Sequence, residues 1–424
     1  MTRDLTRRSL LMAGAALGAT LTTPVLANDS ALDEILNQNA RDSWGGGYDV
    51  AVAAESDTAV ASTVPVFSER AMQATVTAVN TYRNIVAGGG WPLVPADKTL
   101  KLGLDHPNVA VLRKRLMISG DLSTRAGMSN LFDTYVDAAA KRFQARHGLP
   151  ADGMLGKFSL AALNVPADVR LRQLEINLDR LTQRLSGDAR PAGRYVMVNI
   201  PGAEIEAVEG GRVAQRHTAI VGRPSRPTPV LESQISELNL NPYWHAPKSI
   251  VRKDIIPLMR KDPSYLKDNG IRIYDAAKSE IDPRFVNWQT EEAVNYLFKQ
   301  DPSRINAMRS AKINFPNKHA VYMHDTPQQG LFDKLVRFES SGCVRVRNIR
   351  DLLTWLARDT PGWNRQSLET TIAAGERTDA KLAQPVGVYF TYISAWSVTD
   401  GVVQFRDDVY GRDGERELAI GTMG

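Results

Sequence analysis

The sequence predicts a multidomain α+β protein, helical towards its N-terminus and strand-rich towards its C-terminus. Three observations predict it. The chain has 424 residues, roughly three domains at ~100–200 residues each. Apolar residues recur at helical spacing through residues 67–187, the mark of amphipathic helices. From Arg194 the pattern changes to short apolar runs divided by glycine turns, the mark of strands. Composition narrows the class further. With 43% hydrophobic and 23% charged residues and a net charge of +5, disordered and collagen-like chains are excluded. A mean hydropathy of −0.27 argues against a polytopic membrane protein. The single cysteine, Cys343, rules out an internal disulfide and a Cys-rich zinc site. It is a packing residue, an intermolecular linker or a nucleophile.

The first element is not part of the fold. Arg7 and Arg8 precede an apolar stretch from Leu10 to Leu21, and Val25-Leu26-Ala27 closes it. A charged start, a short apolar core and a small-residue exit make residues 1–27 a signal peptide. The stretch is too short for the ~20 residues of a transmembrane span. The paired arginines suggest export of the folded protein by the twin-arginine (Tat) route; a general secretory signal with an incidental Arg pair is the alternative. Either way the expected location is the periplasm. That compartment is oxidising, so an unpaired thiol needs a reason, and chemistry gains weight for Cys343. The basic excess is scattered, with no Lys/Arg run or aromatic stripe, so no nucleic-acid partner is expected.

Residues 28–100 read as an N-terminal linker and helical scaffold. A short helix is expected around Leu32–Asn37, and a longer one over 67–86 through Phe67, Met72, Val76, Val79, Ile85 and Val86. Gly88-Gly89-Gly90 stops it. Residues 101–166 read as a three-helix unit. His106-Pro107 opens the first helix, with Val109, Leu112 and Leu116 on one face. Phe132, Val136, Ala139 and Phe143 mark the second, and Leu160 and Leu163 the third. Residues 167–192 hold a scaffold helix with Leu171, Leu174, Leu178, Leu181 and Leu185, expected to pack back onto the 67–86 helix. The remaining unit, 193–424, carries the strands: Tyr195–Ile200, Thr218–Val221 after a Gly210-Gly211 hairpin, Ala320–Met323, Gly387–Ser394, and a last hairpin turning at Asp400-Gly401. Residues 246–310, rich in Pro, Lys and Asp, read as a capping insertion or lid.

One constellation carries chemistry. His319-Ala320-Val321-Tyr322-Met323-His324-Asp325-Thr326-Pro327 precedes Ser340-Ser341-Gly342-Cys343-Val344-Arg345-Val346. Cys343 follows a small-residue turn, with a helix expected over Ile349–Ala357. Backbone N–H groups freed by such a turn before a helix lower a thiol's pKa and hold an oxyanion. A thiol nucleophile needs a base, and His324, at the end of an apolar strand, is the candidate. The other histidines lack metal-ligand spacing, so no metal is expected. The Gly-rich runs lack a following Lys-Ser/Thr, so neither is a phosphate loop, and no cofactor is expected.

The pattern resembles the catalytic motif of the L,D-transpeptidases, the YkuD family: a His, a gap, then Ser/Thr-His/Ser-Gly-Cys-apolar-Arg. Asn241-Pro242-Tyr243-Trp244-His245-Ala246-Pro247-Lys248-Ser249-Ile250, the tail Phe405–Asp413, the inserted lid and the upstream module resemble the larger YcbB-type branch. The stretch Ala140–Gly156, with Phe143-Gln144, Gly148-Leu149 and Asp152-Gly153 ending at Gly156, resembles a three-helix peptidoglycan-binding domain. A generic three-helix module is the alternative, since each marker also packs. What the resemblance implies is a β-rich YkuD-type catalytic domain with Cys343 as nucleophile and His324 as base, later acid. Backbone amides near Gly342 and Cys343, beside Ser341, would form the oxyanion hole. Arg345 would position the loop or meet a substrate carboxylate, and Tyr322, Tyr243, Trp244 and Asn241 would line the donor groove; a surface ion pair is the alternative for Arg345, and core packing for Tyr243 and Trp244. Two residues depart from the common pattern. Ser341 stands where many members have His, and Asp325 where Gly is common; a backbone carbonyl there orients the imidazole whatever the side chain. The implied activity is formation of 3→3 cross-links through a cysteinyl thioester, with release of terminal D-Ala. The implied partners are peptidoglycan stem peptides and glycan, with carbapenems as covalent inhibitors. The same acyl-enzyme passed to water makes a carboxypeptidase or cross-link hydrolase; passed to a protein amine, it anchors proteins to the wall. A non-catalytic wall-binding protein or a scaffold for wall enzymes is the rival from another class.

Overall fold

The structure, a computed structural model, describes residues 62–187, 190–399 and 401–414. The expected signal peptide, the linker as far as Ala61 and Asp400 of the last turn lie outside the described residues. Among the described residues no helix is long and apolar enough to cross a membrane.

The Glu69–Ala87 helix starts at Ser68, whose hydroxyl accepts from the Ala71 N–H, and ends at Gly88. Its buried face is Ala71, Ala74, Thr75, Ala78, Val79 and Tyr82, not the face of Met72 and Val76 that large apolar residues suggested. Small side chains let its backbone lie close to the Ala167–Leu185 helix and to β14 (Ala395–Thr399). Arg83 and Glu175 pair across the two helices.

The three-helix unit packs Leu112, Leu116, Phe132, Val136 and Phe143 into a core of its own. Its helices are Pro107–Ile118, Thr134–Arg146 and Lys157–Leu163. Phe132 lies one residue before the capping Asp133, so it packs from the loop and not from the helix. The Phe-Gln and Asp-Gly markers have a joint physical role. Gln144 Nε2 donates to Asp152 Oδ1 (2.8 Å) and to the Met154 carbonyl (2.9 Å), and its Oε1 accepts from the Gly153 N–H (2.8 Å). Gly153 has φ +79, and a Cβ there would also stand 2.2 Å from Asp137 Oδ1, so the turn favours glycine. The unit is seated on β15 (Val402–Phe405). His147 stacks between Phe143 and Phe405, and Arg146 Nη1 donates to the Val403 carbonyl. Arg146 also grips Asp121 with two bonds, of 2.7 and 2.6 Å, and both residues are buried. Arg146→Met strands the Asp121 carboxylate and is expected to cost ~3–5 kcal/mol. The double change with Asp121→Leu recovers most of that loss. Urea unfolding of the two variants measures both.

The strands of the C-terminal unit are β1 (Tyr195–Asn199), β2 (Glu204–Glu209), β3 (Arg212–Gly222), β4 (Leu231–Leu240), β9 (Ala311–Asn314), β10 (Met323–His324), β11 (Phe338–Ser340), β12 (Val344–Val346) and β13 (Thr378–Thr391). They form one sheet in the order β11-β3-β12-β10-β9-β4-β13-β1-β2, and a β2–β3 pairing closes it on itself. Its inner face packs on the helices Ile349–Ala357 and Arg365–Ala374 through Ile349, Leu352, Leu353, Leu356 and Leu368.

The insertion has an architecture of its own. It holds a second sheet, with strands β5 (Trp244–His245), β6 (Ile271–Tyr274), β7 (Glu280–Ile281) and β8 (Leu297–Gln300) in the order β5-β8-β6-β7. A helical segment, Lys248–Lys261, is interrupted by a π turn at Val251–Ile255. Trp244, Ile255, Leu258, Ile273 and Phe298 make its separate core. Strands of two to four residues are too short to show a period in sequence.

Candidate active site

Strand register assembles the site. Val344, Met323, Ile313, Leu238 and Ala380 are paired across β12, β10, β9, β4 and β13 and all lie in the core. Side chains alternate between faces, so the next residues along share the opposite face. They form a continuous polar row: Arg345, His324, Lys312, Asn239 and Asp379. Tyr322 and Cys343, two residues back along β10 and β12, belong to the same face, and the Val344 N–H bonds the Tyr322 carbonyl between them.

The turn that presents Cys343 is built by hydrogen bonds. Ser340 Oγ donates to the Cys343 carbonyl and accepts from the Gly342 N–H at 3.1 Å. Thr228 Oγ1 donates to the Gly342 carbonyl at 2.9 Å. Gly342 has φ +112, a region closed to ordinary side chains. Two expectations change here. The helix spans Ile349–Ala357 as expected, but the turn first enters a strand, β12, so no helix N-terminus faces the thiol. The Gly342 amide is committed to Ser340, so it is not a free oxyanion donor. The Cys343 N–H has no hydrogen-bond partner among the described residues and is the donor available. Ser341 is exposed, and its hydroxyl accepts from Arg226 Nη1 at 2.8 Å.

His324 is buried. Its Nδ1 lies 2.5 Å from the Asp325 carbonyl. A carbonyl only accepts, so Nδ1 carries the proton and Nε2 is the basic nitrogen. The expected carbonyl orienter is thus in place despite the Asp side chain, which accepts from Ser310 Oγ and the Thr326 N–H. Burial, then the Arg345 and Lys312 charges, push the imidazole down to about 3, while the Asp325 and Ala307 carbonyls act the other way. Burial pushes the Cys343 thiol up, against the pull of the Tyr322 N–H, Lys312 and Arg345. The resting pair is therefore neutral thiol and neutral imidazole, and the two make no direct hydrogen bond among the described residues. Alkylation of Cys343 by iodoacetamide is accordingly expected to climb with pH through 9 with no plateau at pH 5–7. A preformed thiolate–imidazolium pair would give that plateau.

Tyr322 stands beside both groups. Its ring centroid is 5.5 Å from that of His324, and its hydroxyl interacts with the Cys343 sulfur and the Trp244 indole. Trp244 is buried in the insertion core, so it acts on the site through Tyr322 and is not an open groove wall. Asn241 is no groove residue. Its Nδ2 donates to the Thr371 and Glu376 carbonyls at 2.9 and 3.1 Å, and its φ of 47 marks a chain reversal. Tyr243 is half-buried, with the Lys299 ammonium 3.8 Å from its ring centroid. Arg345 donates to Gln328 Oε1, the loop-positioning arrangement of its two expected roles.

Sequence reading missed three contributors. Lys312 projects from β9 with its ammonium 4.4 Å from the Tyr322 ring centroid. Arg226 clasps buried Asp254 of the insertion at 2.5 and 3.0 Å while holding Ser341. Thr228 fixes Gly342. None has a local signal, since each depends on a strand or loop distant in sequence.

Comparison with known proteins bears on this site. Residues 193–363 match the L,D-transpeptidase catalytic domain family, YkuD, and residues 105–163 match a peptidoglycan-binding domain family. A Haemophilus influenzae protein provisionally named as an L,D-transpeptidase is 32% identical over 225 residues, covering 53% of this chain and 45% of that protein. The chain thus spans less than half of that curated relative's length. Among solved structures, an L,D-transpeptidase from Xylanimonas cellulosilytica is 16% identical with a TM-score of 0.23, over 70% of this chain and 99% of that one. One from Stackebrandtia nassauensis is 15% identical with a TM-score of 0.24, over 71% and 96%.

Proposed function

From a chain that carries a YkuD-family L,D-transpeptidase catalytic domain at residues 193–363 and a peptidoglycan-binding domain at 105–163, we infer a periplasmic transpeptidase of the peptidoglycan stem peptide. The observation that carries the reading is the placement of the chain's single cysteine on a hydrogen-bonded turn. It shares a sheet face with His324, whose basic nitrogen is set by the Asp325 carbonyl.

The thiol of Cys343 leaves Tyr322 for His324 Nε2 and loses its proton as sulfur attacks the carbonyl of the third residue of a donor tetrapeptide. The imidazolium so formed is held by the Asp325 and Ala307 carbonyls. The oxyanion takes the Cys343 N–H, with the Lys312 and Arg345 charges nearby. His324 returns the proton to the departing D-Ala amine, leaving a thioester. An amine on the third residue of a neighbouring stem attacks the thioester, His324 takes its proton, the C–S bond breaks, and the proton passes to the departing Cys343 sulfur as the 3→3 cross-link forms. A thioester waits for an amine only where water is excluded. The insertion, clasped to the nucleophile turn by Arg226, supports that exclusion.

The experiment is incubation with defined tetrapeptide muropeptides and mass spectrometry of the products. Cross-linked dimers are expected. Tripeptide alone would make the protein a carboxypeptidase instead. A carbapenem is expected to add its mass to Cys343. The Arg7-Arg8 signal pattern supports export by the Tat route, and changing both to Lys is expected to keep the protein in the cytoplasm.

A further inference from the structure

Most cations around the active-site face are matched. Arg226 pairs with Asp254, Arg377 with Asp379, and Arg309 lies 3.9 Å from Asp325. Two are not. Neither Lys312 nor Lys299 has a carboxylate within ion-pair distance among the described residues. Each ammonium instead rests on an aromatic face, Lys312 on Tyr322 at 4.4 Å and Lys299 on Tyr243 at 3.8 Å. Such contacts hold a cation in place without neutralising it.

The two lysines come from different sheets. Lys312 is on β9 of the main sheet, paired in register with His324. Lys299 is on β8 of the insertion, paired in register with His245. They act on a common group: the His245 imidazole is pushed down by burial and then by Lys299, Arg377 and Lys312. Lys312 also reaches the nucleophile, being the largest charge acting on Cys343. Glu237 and Asp379 act on Lys312 from its far side, short of ion-pair distance, and offset its charge in part; the remaining positive field runs from the sulfur, across Tyr322, to the insertion.

We propose that Lys312 and Lys299 form a carboxylate subsite between the sheet and the insertion, and that it takes the free carboxylate ending the donor peptide. Spacing supports that choice. In a tetrapeptide the attacked carbonyl is one residue from the terminus, so the carboxylate lies ~3.5 Å along the chain from it. Lys312 stands two strands across from Cys343, about 10 Å at ~4.8 Å per strand, and two residues along, and its ammonium reaches back over the Tyr322 ring. Matching of the carboxylate to a donor terminus rests on the transpeptidase reading; the preference of the site for anions does not.

The test uses the single cysteine of the full-length protein. Cys343 is alkylated with iodoacetate, which is anionic, and with iodoacetamide, which is neutral, and the adducts are timed by intact mass. Both reagents form the same C–S bond with loss of iodide from the same thiolate. Their rate ratio therefore cancels any change in thiol ionisation and reports only charge preference. Relative to free cysteine, the wild-type ratio is expected to favour iodoacetate by roughly tenfold at low salt, declining with added salt. Lys312→Met removes the preference and Lys312→Arg keeps it. A wild-type ratio within twofold of free cysteine overturns the subsite even if a variant fails to fold. An unchanged ratio in folded Lys312→Met overturns the role of Lys312. A second arm compares donors ending in D-Ala and in D-alaninamide. Wild type acylates faster from the carboxylate and Lys312→Met loses that discrimination. Equal rates in wild type overturn the assignment to the donor terminus. A protein that accepts neither donor refutes the transpeptidase reading and leaves the alkylation result standing.

Discussion

Replacing Cys343 by alanine is expected to abolish release of D-Ala from a tetrapeptide donor, a loss on the order of 10⁴-fold or more. The chain has no second thiol to substitute for it. The surrounding turn does not depend on the side chain. Ser340 bonds the Cys343 carbonyl and the Gly342 amide, and Thr228 bonds the Gly342 carbonyl. The variant should therefore fold and bind donor, which separates lost chemistry from lost structure. Binding measured by calorimetry beside unchanged thermal unfolding completes the case.

His324→Gln is expected to lower acylation at neutral pH by about 10²–10⁴-fold, the usual worth of a positioned base. The cause lies in the resting charge state. Burial keeps both thiol and imidazole neutral, so attack at neutral pH requires transfer of the thiol proton to Nε2. At alkaline pH the thiolate forms without help, and the alkylation rates of the variant and the wild type should converge. A second consequence concerns stability. Between pH 6.5 and about 3 the unfolded chain protonates this histidine and the folded chain does not. The unfolded state then binds more protons, so stability falls as pH falls through that window. The Gln variant lacks this contribution, and its urea midpoint should decline less between pH 6.5 and 4.

What could be read in the sequence was whatever a contiguous segment contains. Cys343 after Gly342, His324 after an apolar run, and the Gln144 clamp on the Asp152-Gly153 turn all declare themselves locally. So do the long helices, although Glu69–Ala87 buries its alanines because two backbones approach closely there. The polar row of Arg345, His324, Lys312, Asn239 and Asp379 is different. It exists only because five strands, drawn from four distant stretches of chain, align in register. Lys312 was invisible for that reason. Asn241 was misplaced, and Trp244 took the core alternative over the groove, for the related reason that polar and aromatic residues beside a site also serve as chain reversals and core. The helix at Ile349 was legible, but the strand β12 between it and Cys343 was hidden by its three residues, so the turn was read as leading directly into the helix.

The central claim is a thioester on Cys343 that waits for an amine. Mixing wild-type protein with a tetrapeptide muropeptide in the absence of acceptor, quenching in acid and weighing the intact protein tests it directly. The predicted result is an added tripeptide-acyl mass on the peptide containing Cys343, one D-Ala released per adduct, and loss of the adduct into cross-linked product when acceptor amine is supplied. Turnover of the donor with no adduct on Cys343, or with undiminished activity in Cys343→Ala, would contradict it.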